Sequence, residues 1–121
     1  MKFVLITKDA ELEVSAREGF HPSDECFVYS DWRAALDASD GANLIFVDLL
    51  ATLEKEHKIA GYERFGLAKM SHPVAGPIPL VLIGPEPTYD LDFMVGWPDF
   101  VFGHLQRPVN YKLFRRASTW V

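Results

Sequence analysis

The sequence predicts an α/β fold, a three-layer, doubly wound, five-stranded parallel sheet in a single domain of 121 residues. Three observations lead there. Five short apolar runs alternate along the chain with segments of helical periodicity, the pattern of successive βα units. The central run, Leu44-Ile45-Phe46-Val47, is apolar at every position, which is how a strand reads when both of its faces are covered. The 49% hydrophobic content in a chain of this length suffices for one core without disulfides or metals.

The first strand is expected over Phe3 to Thr7. A helix follows over Ala10 to Glu18, with Leu12, Ser15 and Ala16 facing inward and Gly19 ending the pattern. Cys26 to Tyr29 is the second strand. The next helix begins at Asp31 with Ser30 as its N-cap, and Trp32, Ala35 and Leu36 share one face at i, i+3, i+4 spacing. Leu44 to Leu49 is the third strand. The charged stretch from Ala51 to Ala60, with Glu54, Lys55, Glu56, His57 and Lys58, reads as a mobile loop or an extra helical turn. The third helix runs from Tyr62 to Met70, with Tyr62, Phe65, Leu67 and Met70 forming the pattern, and stops before Pro73.

Leu80 to Ile83 is the fourth strand and Phe100 to Leu105 the fifth. Between them Pro85 and Pro87 stand close together, and a regular helix tolerates such spacing badly. The helix joining these strands is therefore expected to be short, displaced or missing. A last helix starts after Pro108 with Tyr111, Phe114, Ala117 and Trp120 on its inner side.

A net charge of −5 argues against a surface built for nucleic acid or anionic membrane, because binding phosphates needs a concentrated cationic footprint. The one local basic cluster, Lys112, Arg115 and Arg116, reads as the solvated face of the last helix. Cys26 is alone, so no intramolecular disulfide can form, and it reads as a small buried hydrophobe in a reducing compartment. The apolar start, Met1 to Thr7, is too short for a signal peptide or a membrane span, and a cytoplasmic location is expected.

Asp48 ends the third strand. In open α/β sheets, ligands and chemistry collect in the crevice beyond the carboxyl ends of the strands, so Asp48 is a site candidate by position. A carboxylate in this apolar setting needs compensation, and Lys8 or Arg107 is the expected ion-pair partner. His21, His57, His72 and His104 lack ligand spacing, which speaks against zinc; His104, in a strand end near the pocket, is expected to be a hydrogen-bonded structural residue. No Gly-x-Ser-x-Gly elbow surrounds any serine, and Thr7-Lys8-Asp9-Ala10 stands where a glycine-rich phosphate loop would follow the first strand.

Asp48 at the end of strand three, Gly61-Tyr62-Glu63 opening helix three, Pro79-Leu80-Val81-Leu82-Ile83 as strand four and Arg107-Pro108 before the last helix follow one another in a familiar order. Over essentially its whole length the chain thereby resembles the receiver domains of bacterial response regulators, whose fold is flavodoxin-like. The resemblance implies that Asp48 stands at the phospho-acceptor position. It also implies an acidic pair after strand one to hold Mg²⁺, a Thr or Ser hydroxyl at the end of strand four, and a cation after strand five. Here Thr7 and Lys8 occupy the places of the acidic pair and Asp9 is the only nearby acid. Gly84 and Pro85 stand where the hydroxyl would be, and Arg107 supplies the cation.

These departures predict a degenerate pseudo-receiver that does not run a normal phosphorelay, similar to the N-terminal receivers of some bacterial transcriptional activators and able to be the front part of a longer regulator. It is expected to be non-catalytic and without cofactor. It is expected to dimerise or bind a protein partner through the face of strand five and the last helix, and to make no direct contact with nucleic acid or membrane. Tyr89, Phe93, Trp97, Tyr111 and Phe114 are the interface candidates. Two alternatives stay open: a working receiver that phosphorylates on Asp48 with Mg²⁺ and Asp9, and a small-ligand-binding flavodoxin-like domain using the same crevice.

Overall fold

The computed structural model describes residues 1–92 and 101–121. Five strands, β1 (Lys2–Ile6), β2 (Glu25–Tyr29), β3 (Leu44–Asp48), β4 (Leu80–Gly84) and β5 (Gly103–Gln106), pair in parallel in the order β2-β1-β3-β4-β5. The helices are α1 (Ala10–Gly19), α2 (Trp32–Asp37), α3 (Leu49–Thr52), α4 (Ala60–Ser71) and α5 (Tyr111–Ala117). Parallel neighbours cannot be joined by a tight turn, so each connection must cross over the sheet.

Alternate residues of the central strands serve two separate apolar clusters, as the period of two requires. Val4, Ile6, Ile45, Val47, Leu80 and Leu82 pack with Trp32, Ala35 and Leu36 of α2 and with Tyr62 and Phe65 of α4. Phe3, Leu5, Leu44, Phe46, Val81 and Ile83 pack with Leu12 and Ala16 of α1 and with Phe114 and Ala117 of α5. Phe20 joins Phe3, Phe46 and Phe114 in a ring cluster with centroids 4.5–5.7 Å from it. Fully burying each such side chain contributes about 1.5–3 kcal/mol. At Gly19 a Cβ would come 2.3 Å from the Tyr111 carbonyl oxygen, so the bare glycine lets α1 and α5 approach.

The helical patterns need four corrections. Asp31, not Ser30, caps α2, its Oδ1 accepting from the Arg33 N–H at 3.1 Å. The extra turn after β3 begins at Leu49, earlier than Ala51, because the Asp48 side chain caps it by accepting from Leu50 N–H. On α4 the inner stripe is Tyr62, Phe65, Gly66 and Lys69, while Leu67 and Met70 are 68% and 61% exposed. The first set follows i, i+3, i+4, i+7 and holds one face; the other two residues rotate away from it. On α5 Phe114 and Ala117 are buried, whereas Tyr111 is exposed and carries the Arg115 guanidinium over its ring.

Cys26 is only partly buried because β2 is an edge strand. Between β4 and β5, residues 85–92 contain no helix, and Asp92 forms a lone bridge with Lys58. The rest of the expected short or missing helix lies outside the described residues. No helix among the described residues is long and apolar enough to cross a membrane.

Candidate functional site

The register brings four site residues out at one edge. Ile6 pairs with Val47, Asp48 with Ile83, and Gly84 with Gln106, so Thr7, Asp48 and Arg107 all leave the sheet at its carboxyl end. Asp9 reaches the same place because it is the N-cap of α1. Its Oδ1 accepts from the N–H groups of Glu11 and Leu12 at 3.0 and 3.4 Å, which leaves Oδ2 free to face the crevice.

Asp48 is 2% exposed and both of its oxygens are occupied. Oδ2 accepts from the Thr7 hydroxyl at 2.8 Å and from Nη2 of Arg107 at 2.7 Å. Oδ1 accepts from the Leu50 N–H at 3.3 Å. The Thr7 hydroxyl in turn accepts from the Asp9 N–H at 3.0 Å, so it relays between the loop after β1 and the end of β3. Arg107 bridges two acids, with Nη1 donating to Asp9 Oδ2 at 2.8 Å. Its backbone N–H continues the ladder to the Gly84 carbonyl at 3.2 Å, which fixes where the side chain starts. The Arg107–Pro108 peptide is cis.

The electrostatics follow from burial and pairing. The hydrogen bond from Arg107 holds the Asp9 carboxyl below the usual range, and the two helix N–H groups act in the same direction. Burial pushes the Asp48 carboxyl upward, and Arg107, Thr7 and Leu50 offset part of that rise. Burial works against the Arg107 cation, but the Asp48 and Asp9 carboxylates outweigh it and hold the guanidinium above its ordinary value. Arg107 Nε is buried without a hydrogen-bond partner, so the guanidinium is held by its two carboxylates alone.

Among the expected site residues, Thr7, Asp9, Asp48 and Arg107 thus converge. Lys8 does not: its side chain points away, is exposed, and makes no ion pair with Asp48. The reason is alternation, since Thr7 faces the pocket and its neighbour cannot. Gly84 borders the site through its carbonyl, and a Cβ there would come 2.9 Å from His104 Nε2. The imidazole, itself exposed on β5, stands over the end of β4. The receiver resemblance implies a hydroxyl at the end of β4, where Gly84 and Pro85 stand without one; the hydroxyl that reaches Asp48 comes instead from Thr7 at the end of β1. The signal available was a Thr immediately after a buried strand, aligned with a carboxylate on the neighbouring one.

A divalent cation does not fit this arrangement. Asp9 and Asp48 share one guanidinium, the Thr7 hydroxyl donates a hydrogen bond to Asp48, and no third carboxylate among the described residues joins them. Among the described residues no group of three or more His, Cys, Asp or Glu could hold a metal. A metal would have to displace Arg107 from both acids at once.

The interface candidates separate. Phe114 is fully buried and cannot be a docking residue, because it fills the core between α1, β1 and β3. Tyr111 is 37% exposed. Tyr89 is partly buried, stacks on His57 at 4.6 Å and accepts from the His57 backbone N–H at 3.0 Å. Phe93 and Trp97 lie outside the described residues. No family model and no curated protein matches this chain.

Proposed function

We propose that the chain is a receiver-like domain of the three-layer flavodoxin-like kind. In this reading it has given up phosphoryl chemistry and serves as a non-catalytic, protein-binding signalling module. One observation carries it: the carboxylate at the end of β3 is spent. A phospho-acceptor must present a lone pair to the donor phosphorus along an open approach. Here Asp48 is 2% exposed and its Oδ2 already holds a hydroxyl and a guanidinium. Arg107 thus acts as a built-in counter-ion to Asp48 and Asp9.

The module would act through its surface. Phe102 is 56% and Tyr111 37% exposed, and α5 carries Lys112, Arg115 and Arg116 in a chain of net charge −5. Exposed rings beside cations favour an acidic partner face or a second copy of the chain. Sedimentation equilibrium, with and without Tyr111→Ala and Arg116→Glu, tests this. The reading expects self-association that weakens in both variants, or, for a heterologous partner, a monomer that binds an acidic peptide only when both residues are native. A monomer indifferent to such peptides contradicts it.

The working-receiver alternative is favoured by the strand order and by Asp48 at the end of β3. It requires Arg107 to leave both carboxylates so that Mg²⁺ can enter, and a Mg²⁺ titration with Asp48→Asn as control distinguishes it.

A further inference from the structure

Beside the Asp48 pocket, a second crevice of about 550 Å³ opens at the carboxyl ends of β2, β1 and β3. It lies between Lys8 of the loop after β1, Ser30 and Arg33 at the start of α2, Thr52 at the end of α3, and Glu54 in the loop beyond it. The size is that of a small-molecule site, and the end of a parallel sheet is where such sites form. Its charges are unevenly spent. Glu54 is ion-paired with Arg64, and the Asp31 carboxylate caps α2 through the Arg33 N–H. Lys8 and Arg33 are exposed and make no ion pair among the described residues. The Ser30 hydroxyl likewise makes no hydrogen bond among them, whereas the Thr52 hydroxyl is spent on the Leu49 carbonyl at 2.7 Å. The Arg33 guanidinium is not loose, because it rests 4.1 Å from the centre of the buried Trp32 ring.

We propose that this crevice binds a small phosphomonoester, with the phosphate held between Lys8 and Arg33 and hydrogen-bonded by the Ser30 hydroxyl. A phosphate meets two unspent cations, Lys8 and Arg33, against the one carboxylate of the crevice without an ion pair, Asp31, which is drawn to the α2 backbone. A guanidinium already ordered by stacking loses little freedom on binding and offers its edge N–H groups to phosphate oxygens. The inference does not rest on the interaction-module reading, because none of these residues belongs to the Asp48 pocket or to the α5 face.

The test is a ¹H–¹⁵N titration of the whole chain with inorganic phosphate and with AMP, each against chloride at equal ionic strength. Saturable shifts at the amides of Lys8, Ser30 and Arg33 are expected with phosphate and AMP and not with chloride. Lys8→Ala and Arg33→Gln should each weaken binding about tenfold through a lost charge-assisted contact, while Arg17→Ala, an exposed cation on α1 against the other face of the sheet, should not. Both substitutions are on exposed side chains, and the unperturbed remainder of each spectrum reports that the fold is kept. Shifts that do not saturate, that chloride reproduces, that Arg17→Ala weakens equally, or that centre on Leu50 and Arg107 would each overturn the proposal.

Discussion

Replacing Arg107 with alanine removes the cation that two carboxylates share and leaves them in very different positions. Asp9 has a side chain 36% exposed and keeps two helix N–H donors, so its loss is small. Asp48, at 2% exposure, keeps only the Thr7 hydroxyl and the Leu50 N–H. Breaking a buried ion pair from one side costs about 3–5 kcal/mol, and freeing Arg107 from its own desolvation and its orphaned Nε returns part of it, so about 2–4 kcal/mol is expected for Arg107→Ala. Asp48→Ala should cost less, about 1–3 kcal/mol in lost hydrogen bonds, because Arg107 still has Asp9. The pH dependence has a definite sign. Without Arg107 the buried Asp48 carboxyl rises further above its unfolded value, so the penalty is complete above the folded pKa and shrinks as acid protonates the group. Urea unfolding at pH 7 and pH 4.5 reads both effects. An Arg107→Ala variant within about 0.5 kcal/mol of wild type at pH 7, or a deficit that grows on acidification, would refute the reasoning.

Thr7→Val keeps the shape but deletes a hydroxyl that donates to Asp48 and accepts from Asp9 N–H, and chemical denaturation should show a loss of about 1–2 kcal/mol. Asp9 has a lowered carboxyl pKa, so its contribution is present above its unfolded value of 3.8 and fades as pH falls through the folded one; thermal melts of Asp9→Asn should therefore differ most from wild type near neutrality and least in acid. Lys69 is 4% exposed, donates to the Gly76 and Ile78 carbonyls at 3.2 and 2.7 Å, and has its pKa lowered by burial. A lysine depressed in the folded state adds stability as pH rises through its folded pKa toward its unfolded value of 10.5, so the difference between wild type and Lys69→Met should move in favour of wild type as pH approaches 10.5.

What the sequence disclosed follows from which signals are local. Unbroken apolar runs such as Leu44 to Val47 need no tertiary information to be read as strands, and a lone carboxylate at the end of one marks the sheet edge. Arg107 is legible through the receiver resemblance, which implies a cation followed by proline after the last strand. Lys69 was not, since a lysine on an inner stripe looks like a mistake in register until the loop carbonyls of Gly76 and Ile78 are seen to receive its ammonium. The apolar residues alone therefore turn α4 toward Leu67 and Met70, which face outward. Lys8 is expected beside Asp48 because neighbouring first and third strands bring both residues to one sheet edge, but alternation after β1 sends its side chain to the neighbouring crevice. Phe114 and Tyr111 could be ranked only by knowing how closely α5 approaches Gly19.

The central claim is that Asp48 is a structural anion rather than a nucleophile. Intact-protein mass spectrometry after incubation with acetyl phosphate and Mg²⁺ tests it most directly, with Asp48→Asn and Arg107→Ala alongside. The account predicts an unchanged wild-type mass, whereas an added phosphoryl group on wild type that is absent from Asp48→Asn would contradict it.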